Sequence, residues 1–133
     1  MTKLKDKLHN RTATAAVIGL GYVGLPLAME IVGAGFTVIG VDIDKKKVRS
    51  LEEGKSYILD VGNQTIQNAL LGGKFSPTHD FEMLRKSDTI SICVPTPLSK
   101  SKDPDISFIL LATEQIRKCL RPGHLGARPG NYP

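Results

Sequence analysis

The sequence has little of what several functional classes require. Two cysteines, Cys93 and Cys119, allow at most one pair, which excludes a disulfide-built scaffold. Cys93 lies in an apolar, strand-like run and Cys119 on a helical pattern, so both are expected to be reduced core residues. Aromatic residues make up only 5% of the chain, and there is no stacking platform or recognition-helix pattern. The basic residues are scattered as well, so the net charge of +5 does not point to nucleic acid. No apolar run approaches the roughly 20 residues of a membrane span. The basic start, residues 1–11, lacks the apolar region of a secretory signal, which makes a cytoplasmic location the default expectation. His9, His79 and His124 share no spacing that suggests a metal site or a catalytic pair. No Ser/His/Asp set or Cys/His pair can be assembled either.

What the chain does have is alternation of short apolar runs with helical patterns. Residues 1–13 read as a basic N-terminal arm, and residues 14–123 as one α/β domain. Thr14 to Ile18 is a buried first strand, and from about Tyr22 to Ala34 apolar residues recur at helical spacing. Phe36 to Val41 is a second strand ending at Asp42. Asp44 caps a short helix closed by Gly54, and Asn63 to Leu71 is a helix stopped by Gly72-Gly73. The stretch from Lys55 to Gly62 is too short and mixed to classify. A weak third strand at Lys74 to Ser76 and a short helix at Asp80 to Lys86 precede a well-marked strand, Thr89 to Val94. A final helix is capped by Asp105 and lined by Ile106, Ile109, Leu110, Thr113, Ile116 and Leu120. This order predicts a Rossmann-like, doubly wound parallel sheet, truncated before the later strands. The segment 124–133 contains no β-run and is expected to be an irregular tail, unable to complete the sheet as a central strand.

The chemistry concentrates where the first strand meets the first helix. Ile18 runs into Gly19-Leu20-Gly21-Tyr22-Val23-Gly24, a G-x-G-x-x-G turn between strand and helix. Gly19 permits the tight turn, Gly21 lets the backbone approach a diphosphate, and Gly24 lets helix and strand pack closely. Tyr22 and Val23 present backbone N–H groups at the helix start, where the dipole favours an anion. Asp42 ends the second strand, where a carboxylate can accept both hydroxyls of an adenosine ribose and repel the extra phosphate of NADP. That selects NAD as the cofactor. Lys47 can reach the ribose or the adenine edge, although a solvated helix face explains a lysine equally well. Val94, Pro95 and Thr96 follow a strand on the carboxyl edge of the sheet, where the hydroxyl of Thr96 can contact the cofactor; a rigid turn is the alternative.

These segments together resemble the UDP-glucose/GDP-mannose dehydrogenase family. The likeness lies in Val17 to Ala28, in Gly40-Val41-Asp42-Ile43-Asp44 and in Ile92-Cys93-Val94-Pro95-Thr96-Pro97-Leu98. Gly54-Lys55-Ser56-Tyr57-Ile58 and Asp103-Pro104-Asp105-Ile106-Ser107 look most like bacterial UDP-N-acetylglucosamine 6-dehydrogenases. The resemblance implies a four-electron oxidation of C6 of a UDP-sugar to a uronic acid with two NAD⁺, for surface polysaccharide synthesis, in an enzyme that can be a homodimer. It also implies that the thioester-forming cysteine and most sugar contacts lie beyond this domain, so neither Cys93 nor Cys119 takes that role. Family members continue after Pro122-Gly123 into an apolar strand, whereas this chain runs on to Pro133 without one, so the expectation is a truncated or frameshifted product, inactive alone. A non-catalytic NAD-binding module or inactive remnant, and a relative of the 6-phosphogluconate or hydroxyisobutyrate dehydrogenases, stay open as alternatives.

Overall fold

The computed structural model describes residues 6, 12–93, 106–119 and 125–127. They form a five-stranded, all-parallel sheet in the order β3-β2-β1-β4-β5. The strands are β1 (Thr14–Ile18), β2 (Thr37–Val41), β3 (Phe75–Thr78), β4 (Thr89–Ile92) and β5 (Leu125–Ala127). The helices are α1 (Gly24–Gly33), α2 (Lys45–Glu52), α3 (Asn63–Leu71) and α4 (Ser107–Cys119), with a 3₁₀ turn at Phe81–Lys86.

The strands are short and apolar because helices cover both faces of the sheet. Along β1, Val17 faces one core with Leu20, Leu25, Val38, Ile66 and Phe75. Ala16 and Ile18 face the other, with Ile39, Val41, Leu84 and Ile90. β3 includes Pro77, which the sheet tolerates because β3 is an edge strand. Asp44 and Asp80 cap the elements that follow them, each accepting the N–H two residues on.

The strand order places β1 at the centre, and the chain crosses from the β2–β3 side to β4 there. Ile18 pairs with Val41 on one side and with Ile92 on the other, so three strands end together around the glycine turn. Ligands of open α/β sheets bind at such a reversal of strand order.

Four details differ from the sequence reading. Ala13, counted with the arm in sequence, is buried. The tail is not wholly irregular: Leu125–Ala127 pairs in parallel with β4. A short edge strand is held by backbone hydrogen bonds to its neighbour and needs no β-rich sequence of its own. Among the described residues of the last helical segment, Ala112 and Cys119 point inward, with Ile116 packed beside them, whereas Ile106 and Leu110 are exposed. The helix is rotated relative to the expected stripe, and this face packs against the 3₁₀ turn, where the Cys119 thiol lies 3.5 Å from the Phe81 carbonyl oxygen. Cys93 is half-buried rather than buried, and Cys119 is buried as expected; both thiols are free. Asp105 and Leu120, assigned to the last helix, lie outside the described residues.

Candidate functional site

The glycine turn divides its work among three residues. Gly19 takes a left-handed backbone (φ +95°) that turns the chain out of β1, while its N–H donates to the Val41 carbonyl oxygen at 2.7 Å. Gly24 is where α1 touches the turn: a Cβ there would stand 1.6 Å from the Gly19 carbonyl oxygen and 3.2 Å from the Cβ of Cys93. Gly21 is the opposite case, since a Cβ there would meet nothing within 4 Å. Gly24 therefore serves packing, and Gly21 keeps an approach to the backbone open.

The first turn of α1 is prepared for an anion. Val23, at the N-cap, makes no side-chain capping bond, and the first turn carries no acidic residue. The Leu25 N–H already bonds to the Gly21 carbonyl oxygen and the Leu27 N–H to that of Val23. The amides of Tyr22 and Val23 have no acceptor among the described residues. Their side chains are exposed, 85% for Tyr22 and 61% for Val23, and so leave those amides uncovered by core. Free donors at the positive end of a helix fit a diphosphate.

Asp42 faces the turn from β2. Its Oδ2 accepts from the Leu20 N–H and its Oδ1 from the Asp44 N–H, both at 2.8 Å. The residue is only 8% exposed, so these bonds fix the carboxylate. A carboxylate has about four acceptor positions, and two stay available for a pair of vicinal hydroxyls. The turn and the carboxylate, both expected from sequence, are thus brought together.

Lys47 comes from α2 with its Nζ 5.8 Å from the centre of the Tyr57 ring. That cation–π contact ties Lys47 to the residue whose hydroxyl reaches Leu20. Val94, Pro95 and Thr96 lie outside the described residues. The strand they follow does end beside the turn, with the Cys93 N–H donating to the Ile18 carbonyl oxygen at 2.6 Å.

Tyr57 is the residue that sequence reasoning missed. Its hydroxyl donates to the Leu20 carbonyl oxygen at 2.5 Å, from a stretch without regular structure. That stretch is nevertheless held firmly. Gly54 turns it at φ +77°, the Ser56 N–H donates to the Asn63 Oδ1 at 2.8 Å, and Ile58 and Val61 are buried in the core beside Leu20. The sequence signal was an aromatic residue with a polar tip beside apolar Ile58, in a loop of mixed composition.

Burial, with the negative charges of Asp42 and then Asp44, pushes the Tyr57 hydroxyl well above the ordinary tyrosine value. The unfolded chain releases this proton near pH 10, and the folded chain keeps it. This contribution to stability is therefore complete below about pH 10 and is lost as pH rises toward the folded-state value. Urea unfolding at pH 9 and pH 11 should show a larger loss of stability in the native sequence than in Tyr57→Phe. Equal losses would show that the hydroxyl is not held in the fold.

Among the described residues, no group of three or more His, Cys, Asp or Glu side chains can hold a metal ion, and no helix is long and apolar enough to cross a membrane. The geometry of turn, uncapped helix start and strand-end carboxylate is that of a dinucleotide site.

Comparison with known proteins agrees with this geometry. Residues 13–125 match the model of the UDP-glucose/GDP-mannose dehydrogenase family, NAD binding domain. A UDP-N-acetyl-D-glucosamine 6-dehydrogenase of Pseudomonas aeruginosa is 37% identical over 110 residues, covering 83% of this chain and 25% of that protein. The structure of a ternary complex of GDP-mannose dehydrogenase from Pseudomonas aeruginosa superposes with a TM-score of 0.80 at 33% identity, covering 86% of this chain and 27% of the other. A UDP-D-ManNAc dehydrogenase structure from Pyrococcus horikoshii gives a TM-score of 0.81 at 33% identity over 86% of this chain and 28% of that one. The chain thus spans about a quarter of the length of these relatives. It belongs to the UDP-glucose/GDP-mannose dehydrogenase family, of which it is the NAD-binding domain.

Proposed function

We propose that this chain supplies the cofactor half of a nucleotide-sugar 6-dehydrogenase, and that the sugar is UDP-N-acetylglucosamine. The observation that carries the cofactor role is the pairing of the open Gly21 backbone with the fixed Asp42 carboxylate, which share Leu20 as their link. The choice of sugar rests on likeness to the Pseudomonas aeruginosa enzyme named for that substrate.

In this reading the amides of Gly21, Tyr22 and Val23 bind the diphosphate, and Gly19 and Gly24 hold the turn in shape for it. Asp42 accepts the two ribose hydroxyls, and its charge disfavours a 2′-phosphate. Lys47 lies along the adenosine side, and Val94, Pro95 and Thr96, which follow the described end of β4 in sequence, supply further cofactor contacts, Thr96 through its hydroxyl. The cofactor supplies hydride acceptance, used twice per sugar, so that a C6 alcohol, one water and two NAD⁺ give a carboxylate, two NADH and three protons.

The chain orients a hydride acceptor, but hydride transfer also requires the sugar held against the nicotinamide. These 133 residues mixed with UDP-N-acetylglucosamine and NAD⁺ should bind NAD⁺ and form no NADH, followed by absorbance at 340 nm. Turnover would overturn the division of labour. Turnover of the full-length protein with another UDP-sugar alone would overturn the choice of substrate.

A further inference from the structure

The two peptide units on either side of Leu20 are each gripped from the protein interior. The Gly19–Leu20 unit is held through its N–H by Asp42 Oδ2 at 2.8 Å. The Leu20–Gly21 unit is held through its carbonyl oxygen by the Tyr57 hydroxyl at 2.5 Å. Leu20 itself is fully buried, and no cis peptide is present among the described residues. In a planar trans peptide the carbonyl and the following N–H point in opposite directions. Fixing the Leu20 carbonyl toward Tyr57 therefore fixes the Gly21 N–H away from it. A Cβ at Gly21 would meet no atom within 4 Å, and its amide has no acceptor among the described residues.

We propose that Tyr57 is a positioning residue of the cofactor site: its hydroxyl orients the Leu20–Gly21 peptide so that the Gly21 N–H is presented to the diphosphate. The inference rests on the NAD-binding reading above and adds to it a residue outside the glycine turn. The same side chain carries Lys47 across its ring, 5.8 Å from Nζ to ring centre, so one residue links the diphosphate end of the site to the adenosine end. Asp42 and Asp44 are the negative charges near the hydroxyl, and Lys47 is the positive one. The loop is built to hold the ring in place: the Ser56 hydroxyl donates to the Ile58 carbonyl oxygen and accepts the Ile58 N–H, and the Val61 N–H closes back on the Ile58 carbonyl oxygen.

Tyr57→Phe removes the hydroxyl and keeps the ring for Lys47 and the core. The proposal predicts that NAD⁺ binds about tenfold more weakly to this variant, the loss expected for one well-formed hydrogen bond. Adenosine, which lacks the diphosphate, should bind both proteins equally. The Gly21 amide resonance of the free protein should shift and lose protection from hydrogen exchange, a readout that needs no ligand. Tyr57→p-aminophenylalanine restores an N–H donor on the same ring and should return NAD⁺ affinity to within about threefold of the native chain. It also supplies the comparison should Tyr57→Phe not fold.

Equal NAD⁺ affinity in Tyr57→Phe, an unmoved Gly21 amide, or failure of the amino variant to rescue would each overturn the proposal. A lower melting temperature with unchanged NAD⁺ affinity would overturn it too, by reducing Tyr57 to a structural residue. Failure of the native chain itself to bind NAD⁺ is a separate result. It would overturn the NAD-binding reading, while the amide resonance would still test the clamp.

Discussion

Replacing Gly24 by alanine should unfold the domain or reduce its stability by roughly 3 kcal/mol or more, the upper range for forcing volume into a packed site. The new Cβ would stand 1.6 Å from the Gly19 carbonyl oxygen and 2.8 Å from the Gly19 carbonyl carbon. Both contacts are backbone, so no side chain can rotate away. Relief requires α1 to move off β1, which opens the core around Leu25 and Ala28 and also withdraws the helix start from the diphosphate. Two other glycines of this segment serve as controls. At Gly33 a Cβ meets nothing within 4 Å and φ is not positive, so Gly33→Ala should be neutral or stabilise by up to about 1 kcal/mol. Gly21→Ala should leave stability within about 0.5 kcal/mol of native, yet weaken NAD⁺ by about tenfold or more by placing a methyl on the diphosphate's path. Thermal unfolding and NAD⁺ titration of the three variants separate the fold glycine from the cofactor glycine. Normal stability in Gly24→Ala would show that the turn packs differently.

Asp42→Ala should weaken NAD⁺ binding about 100-fold and erase the preference for NAD⁺ over NADP⁺. A charge-assisted bond contributes about 1.5–3 kcal/mol, and in the proposed role this carboxylate bonds two hydroxyls at once. The variant also strips the acceptors from the N–H groups of Leu20 and Asp44. The Leu20 amide is buried, so stability should fall by about 1–3 kcal/mol. Asp42→Asn separates the two effects: it keeps an acceptor for Leu20 and loses the charge. It should recover most of the stability and little of the affinity. If Asp42→Asn binds NAD⁺ as tightly as the native chain, the ribose assignment fails.

Much of this was legible in the sequence because the governing signals are local. Gly19, Gly21 and Gly24 stand in a spacing that one strand–turn–helix junction demands, and Asp42 ends an apolar run whose β character is plain. Asp44 occupies a capping position that follows from the short reach of an aspartate side chain to the N–H two residues on, whereas Asp80, read as part of the short helix, caps it instead. The illegible parts depend on contacts across the chain. Tyr57 meets Leu20 over 37 residues of separation, and nothing in the mixed loop around it announces that partner. The rotation of α4 was equally hidden. Leu110 offers more apolar surface than Ala112, yet Ala112 and Cys119 are the buried ones and Leu110 is exposed. β5 escaped notice because an edge strand of three residues takes its order from the neighbouring β4.

The most direct test is a calorimetric titration of the chain with NAD⁺ and, separately, with NADP⁺. One site per chain, with NAD⁺ bound at least tenfold more tightly than NADP⁺, is the result expected from the Gly21 cradle facing the Asp42 carboxylate. Absence of binding by the folded chain, or equal affinity for the two dinucleotides, would contradict it.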